Sequence, residues 1–330
     1  FTLISMASPG RDVKLSKDRV TGYRNFITKI WSANNFLKLN NCKYKNKPNE
    51  KKIKLKINQW IYSEFCKTNE SINMHIRNFR FDEASKVLYN FVWHSYCDWY
   101  LEFLKPIFNS QTKTSIQEAK QFSSYMLSNI LKVLHPFIPF FTEHVWQENK
   151  FNKNQKTDLI SSSWPISKKI KSYKKNSDEI RCIIEIITAI RSTKVQLNVP
   201  PKEQCDIVYF PETKKIKKYI NNNIEIIKQV GRVNNIYLKS DKSNEIIQIV
   251  ILKEKIGLKF QTNIDLNSQK DKLIIKSNEL EKKIVSLDQK LTNKNYIKKA
   301  PKNIVANDKI LLKDLKIEQT KLKSIVSSIN

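Results

Sequence analysis

The sequence predicts a mainly α protein: a helical-bundle domain, a small α/β unit, and a C-terminal antiparallel coiled-coil hairpin. Three observations support this fold class. Apolar residues recur at three- and four-residue steps over most of the chain up to residue 200, which is the period of a helix face. Only four glycines occur in 330 residues, so β architectures with many tight turns are not expected. Leucines recur every seven residues near the end, a spacing typical of coiled coils.

The bundle is predicted to span residues 21–202, after a segment 1–20 that resembles the end of a preceding region. Its first helix places Tyr23, Phe26, Ile27, Ile30, Trp31 and Asn34 along one face. The predicted helices cover residues 20–39, 52–78, 80–105, 115–134, 139–149 and 177–196. The helix 80–105 is apolar nearly all round, so we expect it at the centre of the bundle.

Residues 203–264 are predicted to form the α/β unit, because the hydrophobic period changes after Pro200 and Pro201. Short β-branched and aromatic runs predict four strands, with one helix near residues 213–229 between the first two. The predicted strands cover residues 205–210, 234–238, 245–252 and 256–262.

Residues 265–330 are predicted to form the hairpin, with Pro301 in the link between its two helices. Each apolar seam is too narrow to stand alone, so each helix should bury its seam against the other. Lysines outnumber acidic residues here, which makes the hairpin basic. The first seam is predicted at Leu273, Leu280, Ile284, Leu287 and Leu291, and the second at Leu311, Leu315, Leu322, Ile325 and Ile329.

Net charge indicates a polyanionic partner. The chain carries 60 Lys and Arg against 31 Asp and Glu, a formal charge of +29. A field of this size attracts nucleic acid. Abundant Lys, Asn and Ile offer coding bias as an alternative source, so basicity alone favours nucleic-acid binding only modestly over a basic soluble protein.

Several classes of site are disfavoured. The five cysteines contain no C-x-x-C pair and the four histidines no H-E-x-x-H, which argues against a disulfide framework and a zinc site and for a reducing, cytoplasmic location. No run of 18 apolar residues or signal peptide is visible, so no membrane association is expected. Because the chain opens with Phe1 rather than Met, we expect a fragment that lacks an N-terminal part.

Four stretches carry candidate chemistry, and each has a structural alternative. "KLSK" at 14–17 has lysines that could hold ATP phosphates, but the match is short in so lysine-rich a chain. Trp93, Tyr96, Trp99 and Tyr100 could stack on bases; at helical spacing, packing in the core is favoured. In residues 186–201, Arg191 and Lys194 are three residues apart on one predicted helix face; they could bind phosphates or form a solvated face. The hairpin could lie along a phosphate backbone or brace another protein.

Longer stretches resemble the valyl-tRNA synthetase family of class I aminoacyl-tRNA synthetases. "FTLISMASPGRDVKLSKDRVTGYRNFITKIWSANNF" is similar to the family segment where the catalytic part passes into the helical anticodon-binding domain. "NFVWHSYCDWYLEFLK", "LHPFIPFFTEHVWQ" and "AIRSTKVQLNVPP" resemble motifs of that domain, and "LDQKLTNKNYIKKAP" resembles the tip of the family's terminal hairpin. The matches occur in order and cover nearly the whole chain. Related synthetases for isoleucine and leucine share the bundle, whereas "CDWYLE" and the hairpin favour the valine enzyme.

The resemblance implies an enzyme that joins valine to tRNA(Val) with ATP and Mg²⁺. It implies that this chain is a monomeric, tRNA-handling C-terminal portion, inactive alone and binding no cofactor. The catalytic signatures H-I-G-H and K-M-S-K-S and the editing domain are expected before Phe1, which makes "KLSK" a chance match. Valine and ATP would then be bound by that preceding part. The alternative is a basic helical scaffold protein that binds partners through its coiled coil.

The resemblance also assigns the parts. The bundle would take the anticodon stem and loop, and the hairpin would contact the outer corner of the tRNA. No catalytic residue and no metal ligand is expected. Departures from the family include Asn35, where arginine is usual, and Lys194, which keeps charge but loses the planar guanidinium. The predicted tRNA contacts are Arg11, Arg24, Lys29, Arg181, Arg191, Lys194, Lys298 and Lys299.

Overall fold

The computed structural model describes residues 1–328 except 9, 11, 14, 44–46, 111, 156, 167–169, 210–212, 238–245, 252–253, 261–265, 294–295 and 297–301. The chain forms two compact units, Phe1–Arg181 and Cys182–Asn330. The division falls inside a helix rather than at residue 202, and the domain limits 21–202, 203–264 and 265–330 stay predictions. The mainly α fold class is confirmed.

The first unit is helical, and every predicted helix is present within a few residues of its expected bounds. Two short helices, the first and the eighth, were not predicted. The helices are α1 Thr2–Met6, α2 Lys17–Leu39, α3 Lys56–Arg77, α4 Phe81–Asn90, α5 Leu101–Phe108, α6 Lys113–Leu134, α7 Pro139–Glu148, α8 Phe151–Gln155 and α9 Lys174–Gln196, the last of which continues into the second unit. Single 3₁₀ turns lie at Glu50–Lys52, Leu159–Ser161 and Lys171–Tyr173.

Helix α2 shows how local sequence sets its ends. Ser16, in the "KLSK" stretch, is the N-cap, and its hydroxyl accepts a hydrogen bond from the Arg19 amide (3.3 Å). After the helix, Asn41 takes a left-handed conformation (φ 53°), which asparagine tolerates better than most residues. "KLSK" therefore marks a helix start, with Lys14 outside the described residues.

The apolar stripe of α2 is core, as its spacing predicts. Phe26 and Ile30 are buried, and burying a side chain of this size contributes roughly 1.5–3 kcal/mol. Asn34 is also buried: its Nδ2 donates to Glu148 Oε2 (2.8 Å), and its Oδ1 accepts from Asn149 Nδ2 (2.7 Å). A buried amide with both ends bonded is satisfied rather than costly, and this one joins α2 to the end of α7.

The central aromatic helix has an unexpected middle section. Between α4 and α5, residues Phe91–Tyr100 form a π-helix, so the predicted single helix 80–105 is a continuous helical segment with a wider middle part. Tyr96 and Tyr100 are fully enclosed, and the Tyr100 hydroxyl donates to Asn58 Oδ1 (2.8 Å) on α3. The segment contacts α2, α3 and α6, which confirms its central place and the packing interpretation of both tyrosines.

The second unit contains a four-stranded sheet of order β2-β1-β4-β3. Its strands are β1 Cys205–Tyr209, β2 Val233–Tyr237, β3 Ile247–Ile251 and β4 Glu254–Phe260. β1 is parallel to β2 and antiparallel to β4, and β3 is antiparallel to β4. Parallel neighbours need a crossover, which helices between β1 and β2 supply.

That crossover corrects one prediction, because the expected helix 213–229 is two helices. They are α10 Lys214–Asn222 and α11 Ile224–Gly231. Asn223 lies at the break, buried, and its Nδ2 donates to the Tyr219 carbonyl (2.8 Å). Its side chain thus bonds a carbonyl at the end of α10, which favours ending the first helix there.

The hairpin consists of α12 Leu266–Thr292 and α13 Lys302–Ser328, which pack on each other. Among the side chains that the structure describes, three ion pairs link them: Lys290–Asp308 (2.9 Å), Lys316–Asp288 (3.1 Å) and Lys323–Glu281 (3.3 Å). In these pairs the residue number decreases along α12 as it increases along α13, so the two helices are antiparallel. Coiled-coil geometry in the strict sense stays a prediction.

The seam agrees with prediction on α12 and differs on α13. Leu280 and Ile284 are buried, whereas Leu311 is 46% exposed and the neighbouring Leu312 is half-buried. Leu311 was therefore assigned to the wrong face, because two adjacent leucines leave the register open. Val305, Leu312, Leu315 and Val326 are the apolar members at heptad spacing. Leu273, Leu322, Ile325 and Ile329 fall outside the described side chains.

The hairpin shares a hydrophobic core with the sheet. Leu280 packs with Leu197, Val199 and Ile247, and the partly buried Phe260, Leu315 and Val326 lie against them. Leu280 and Leu315 lie midway along their helices, so both helices contribute to that core.

Candidate nucleic-acid interface

Two of the predicted tRNA contacts, Arg24 and Lys29, lie on α2 and differ in the exposure of their side chains. Arg24 is exposed. Lys29 is half-buried, forms an ion pair with Asp98, and holds its Nζ 4.3 Å from the centre of the Trp93 ring. The other carboxylate oxygen of Asp98 lies 3.2 Å from His94 Nδ1. The Lys29 charge is thus partly neutralised by an intramolecular carboxylate and aromatic ring.

Arg181 is also engaged within the first unit. Its guanidinium donates to Glu64 and, at 3.1 Å, to Asp178 Oδ1. Lys67 lies 3.3 Å from the same Glu64 carboxylate. Arg181 therefore sits in a mixed-charge cluster, where two carboxylates offset its charge.

Arg191 and Lys194 lie on one face of α9, as their spacing predicts, but this face meets the end of α11. Arg191 is exposed and its Nη2 donates to the Val230 carbonyl (3.0 Å). Lys194 is only 3% exposed, and its Nζ donates to the carbonyls of Glu203 (2.8 Å) and Arg232 (3.2 Å). The carboxyl end of a helix presents unpaired carbonyls and partial negative charge, which cations satisfy.

Protein atoms enclose the Lys194 side chain. Burial lowers the pKa of its ammonium, while burial raises the pKa of the adjacent Cys205 thiol to about 11. The ammonium is enclosed and bonded to the backbone, and the contact of Lys194 with phosphate stays a prediction. Arg11, Lys298 and Lys299 lie outside the described residues.

A cationic surface that sequence reasoning missed lies on α10. Lys214, Lys215 and Lys218 are exposed and Lys217 is half-buried. The sequence signal was available, since "KKIKKYINN" alternates lysine pairs with Ile216, Tyr219 and Ile220 at helical spacing.

Chemistry other than binding finds little support among the described groups. All five cysteines are free and buried, and burial raises the pKa of Cys97 to about 12. Within the described part of the chain, no three His, Cys, Asp or Glu side chains are grouped as metal ligands. No helix among the described residues combines the length and hydropathy of a transmembrane span.

Two families match this chain, one after the other. Residues 58–209 match the anticodon-binding domain of tRNA ligases, and residues 265–330 match the valyl tRNA synthetase tRNA binding arm. The first match runs from α3 to β1 and the second covers the hairpin.

Relatives match along the whole chain. The valine–tRNA ligase of Pelagibacter ubique is 38% identical over 100% of this chain, and that of Zymomonas mobilis is 33% identical over 100%. The enzyme of Bartonella quintana is 32% identical over 98%. The chain spans 37%, 37% and 35% of the lengths of these relatives. On these matches, the chain belongs to the valine–tRNA ligase family and corresponds to a C-terminal portion of its members.

Proposed function

We propose that this chain is the tRNA-binding C-terminal part of a valine–tRNA ligase. The observation that carries this proposal is the order of the two family matches: an anticodon-binding region on the helical unit, then a tRNA-binding arm on the hairpin. A positively charged chain fits this role, since neutralising phosphates supplies most of the affinity for RNA.

The complete enzyme would attach valine to tRNA(Val) with ATP and Mg²⁺. We assign no catalytic residue to this chain and place the chemistry in parts of the enzyme that it does not contain. The bundle would hold the anticodon stem and loop, and the hairpin would contact the outer corner of the tRNA. A cytoplasmic, monomeric enzyme is part of the same proposal. Among the predicted contacts that the structure describes, Arg24 is the strongest candidate because it is exposed and lies off the buried stripe.

Salt-dependent binding of tRNA tests this function. The chain should retain tRNA(Val) on a filter, with log K falling linearly against log salt. About eight phosphate contacts, shared among the bundle, the hairpin and other parts of the chain, would give a slope of roughly −6 to −7. The same preparation should show no valine-dependent ATP–pyrophosphate exchange. Exchange activity would contradict the placement of the chemistry elsewhere.

The alternative is a scaffold that binds protein partners through the hairpin. It is favoured only by the packing of α12 on α13, since a helical rod of this kind can present a partner surface. A weak binding response that does not change with salt would favour the scaffold over the tRNA-binding part.

A further inference from the structure

We propose that the lysine face of α10, formed by Lys214, Lys215, Lys217 and Lys218, binds the phosphate backbone of RNA. The proposal rests on the proposed function and adds a contact surface to it. The two family matches end at residue 209 and resume at residue 265, so neither includes this helix.

The helix is divided sharply into two faces. At 100° per residue, its four lysines and its two asparagines, Asn221 and Asn222, occupy one side. Tyr219 and Ile220 lie on the other side and are buried. Burial of that apolar side fixes the rotation of α10 about its axis, so the lysine side faces solvent.

The lysines have no acidic partner among the described residues, which leave out Glu212 just before the helix. None of the four forms an ion pair with another described residue, and the first turn of α10 contains no acidic residue. The Lys215 Nζ lies 5.7 Å from the centre of the Tyr219 ring. By contrast, Lys290, Lys316 and Lys323 of the hairpin each have a carboxylate within 3.3 Å.

This arrangement is unfavourable without an anion. Lys214 and Lys218 are four residues apart, and like charges at that spacing destabilise a helix. Cations in the first helical turn also oppose the helix dipole. A bound polyanion would relieve both costs. Side chains three and four residues apart have Cβ atoms about 5–6 Å apart, close to the phosphate spacing along a nucleic-acid strand.

The chemistry of the face favours nucleic acid over other polyanionic partners. Its exposed side carries lysine and asparagine only, whereas Tyr219 and Ile220 are turned inward. A protein hot spot would need an aromatic or arginine anchor, and a membrane-surface helix would need an exposed apolar side. Lysine ammonium groups bind phosphates as point charges without reading sequence.

The test compares two triple variants by tRNA binding at several salt concentrations. K214A/K215A/K218A removes the three exposed lysines. The matched control, K67A/K86A/K105A, removes the same charge from lysines that pair with Glu64, Glu83 and Glu102. All six are surface positions, and matching circular dichroism spectra would show that both variants fold.

We expect the α10 variant to bind tRNA roughly tenfold more weakly at moderate salt, with a salt slope shallower by about 2 to 3. The control should change affinity less than about threefold, because its lysines are already paired with carboxylates. An unchanged slope in the α10 variant, or an equal loss in the control, overturns the inference. If the wild type itself shows no salt-dependent binding, the proposed function fails; if it binds and the α10 variant matches it, only the α10 surface fails.

Discussion

Helices α9 and α10 carry cations at the same helical spacing, but those of α9 bond to protein carbonyls whereas those of α10 face solvent. Arg191 and Lys194 of α9 donate to backbone carbonyls around the end of α11. The lysines of α10 lie on a solvent face without acidic partners among the described residues. Spacing places cations on a common face, but it does not say whether solvent or protein covers that face.

The difference follows from what lies opposite each helix. The carbonyls of Val230 and Arg232 lie where α11 ends, and Lys194 has a long apolar stem that can be buried with its head bonded. α10 has its own apolar side to bury, so its lysines are the residues left outside. The first arrangement should affect stability and the second should affect binding.

The largest expected effect is on Lys194. Lys194→Ala should lower the unfolding free energy of the second unit by about 2–4 kcal/mol, since it leaves carbonyls without their donor and creates a cavity. Lys194→Met keeps the stem and should cost less. All six tryptophans lie in the first unit, so urea unfolding by circular dichroism should shift while the tryptophan fluorescence transition stays in place.

A Lys194→Ala variant with unchanged stability and weaker tRNA binding would reverse the assignment. Lys194 would then contact RNA, which is one of the two interpretations that its spacing allowed, and the hydrogen bonds to Glu203 and Arg232 would be incidental.

A smaller effect on the unfolding free energy is expected to distinguish Arg191 from Arg24. Arg191→Ala should cost about 1 kcal/mol of unfolding free energy, because one hydrogen bond from a charged donor to the Val230 carbonyl is lost at an exposed site. Arg24→Ala should leave stability within about 0.5 kcal/mol, as expected for an exposed residue away from the core. Urea unfolding gives both values. Equal losses in the two variants would remove the distinction between them.

The smallest expected effect is on pH dependence. Burial lowers the pKa of Lys194 in the folded chain, so between that pKa and the ordinary value near 10.5 the unfolded chain binds more protons. Wild-type stability should therefore rise relative to Lys194→Met as pH increases through the alkaline range. Burial raises the pKa of Cys205, which lowers stability with pH above the ordinary thiol range. Because Lys194 partly lowers the Cys205 pKa, Lys194→Met should raise that pKa further, which adds to the difference between the two curves in the same direction. Parallel curves would contradict a lowered pKa.

Sequence reasoning succeeded where one periodic pattern had one physical solution. The stripe containing Phe26 and Ile30 predicted a buried face, and the aromatic run around Tyr96 predicted a central helix. It failed where neighbouring residues offered equal alternatives, as with Leu311 and Leu312 on α13. The prediction of a single helix at 213–229 was wrong, because the hydrophobic period along the sequence does not show where a helix ends at one residue, Asn223.

The candidate interface was less predictable than the fold. Of the predicted contacts, Lys194 is enclosed and Lys29 and Arg181 are paired with carboxylates, whereas the α10 lysines were missed. An ion pair such as Arg181–Glu64 joins residues more than a hundred positions apart, so no local pattern could reveal it. The number of charged residues in the chain cannot identify which cations are exposed and free of carboxylate partners, and therefore able to bind RNA.

Hydrophobic period and composition were sufficient to predict the helical bundle, the short strands and the terminal hairpin, because these depend on nearest neighbours along the chain. Tertiary packing decided the π-helical middle of the aromatic segment, the order of the strands in the sheet and the contact between the hairpin and the sheet. It also decided which cations are exposed and which are bonded within the protein. Those features depend on contacts between distant residues, and the free energy of a charge depends on whether water, a carboxylate or a carbonyl surrounds it.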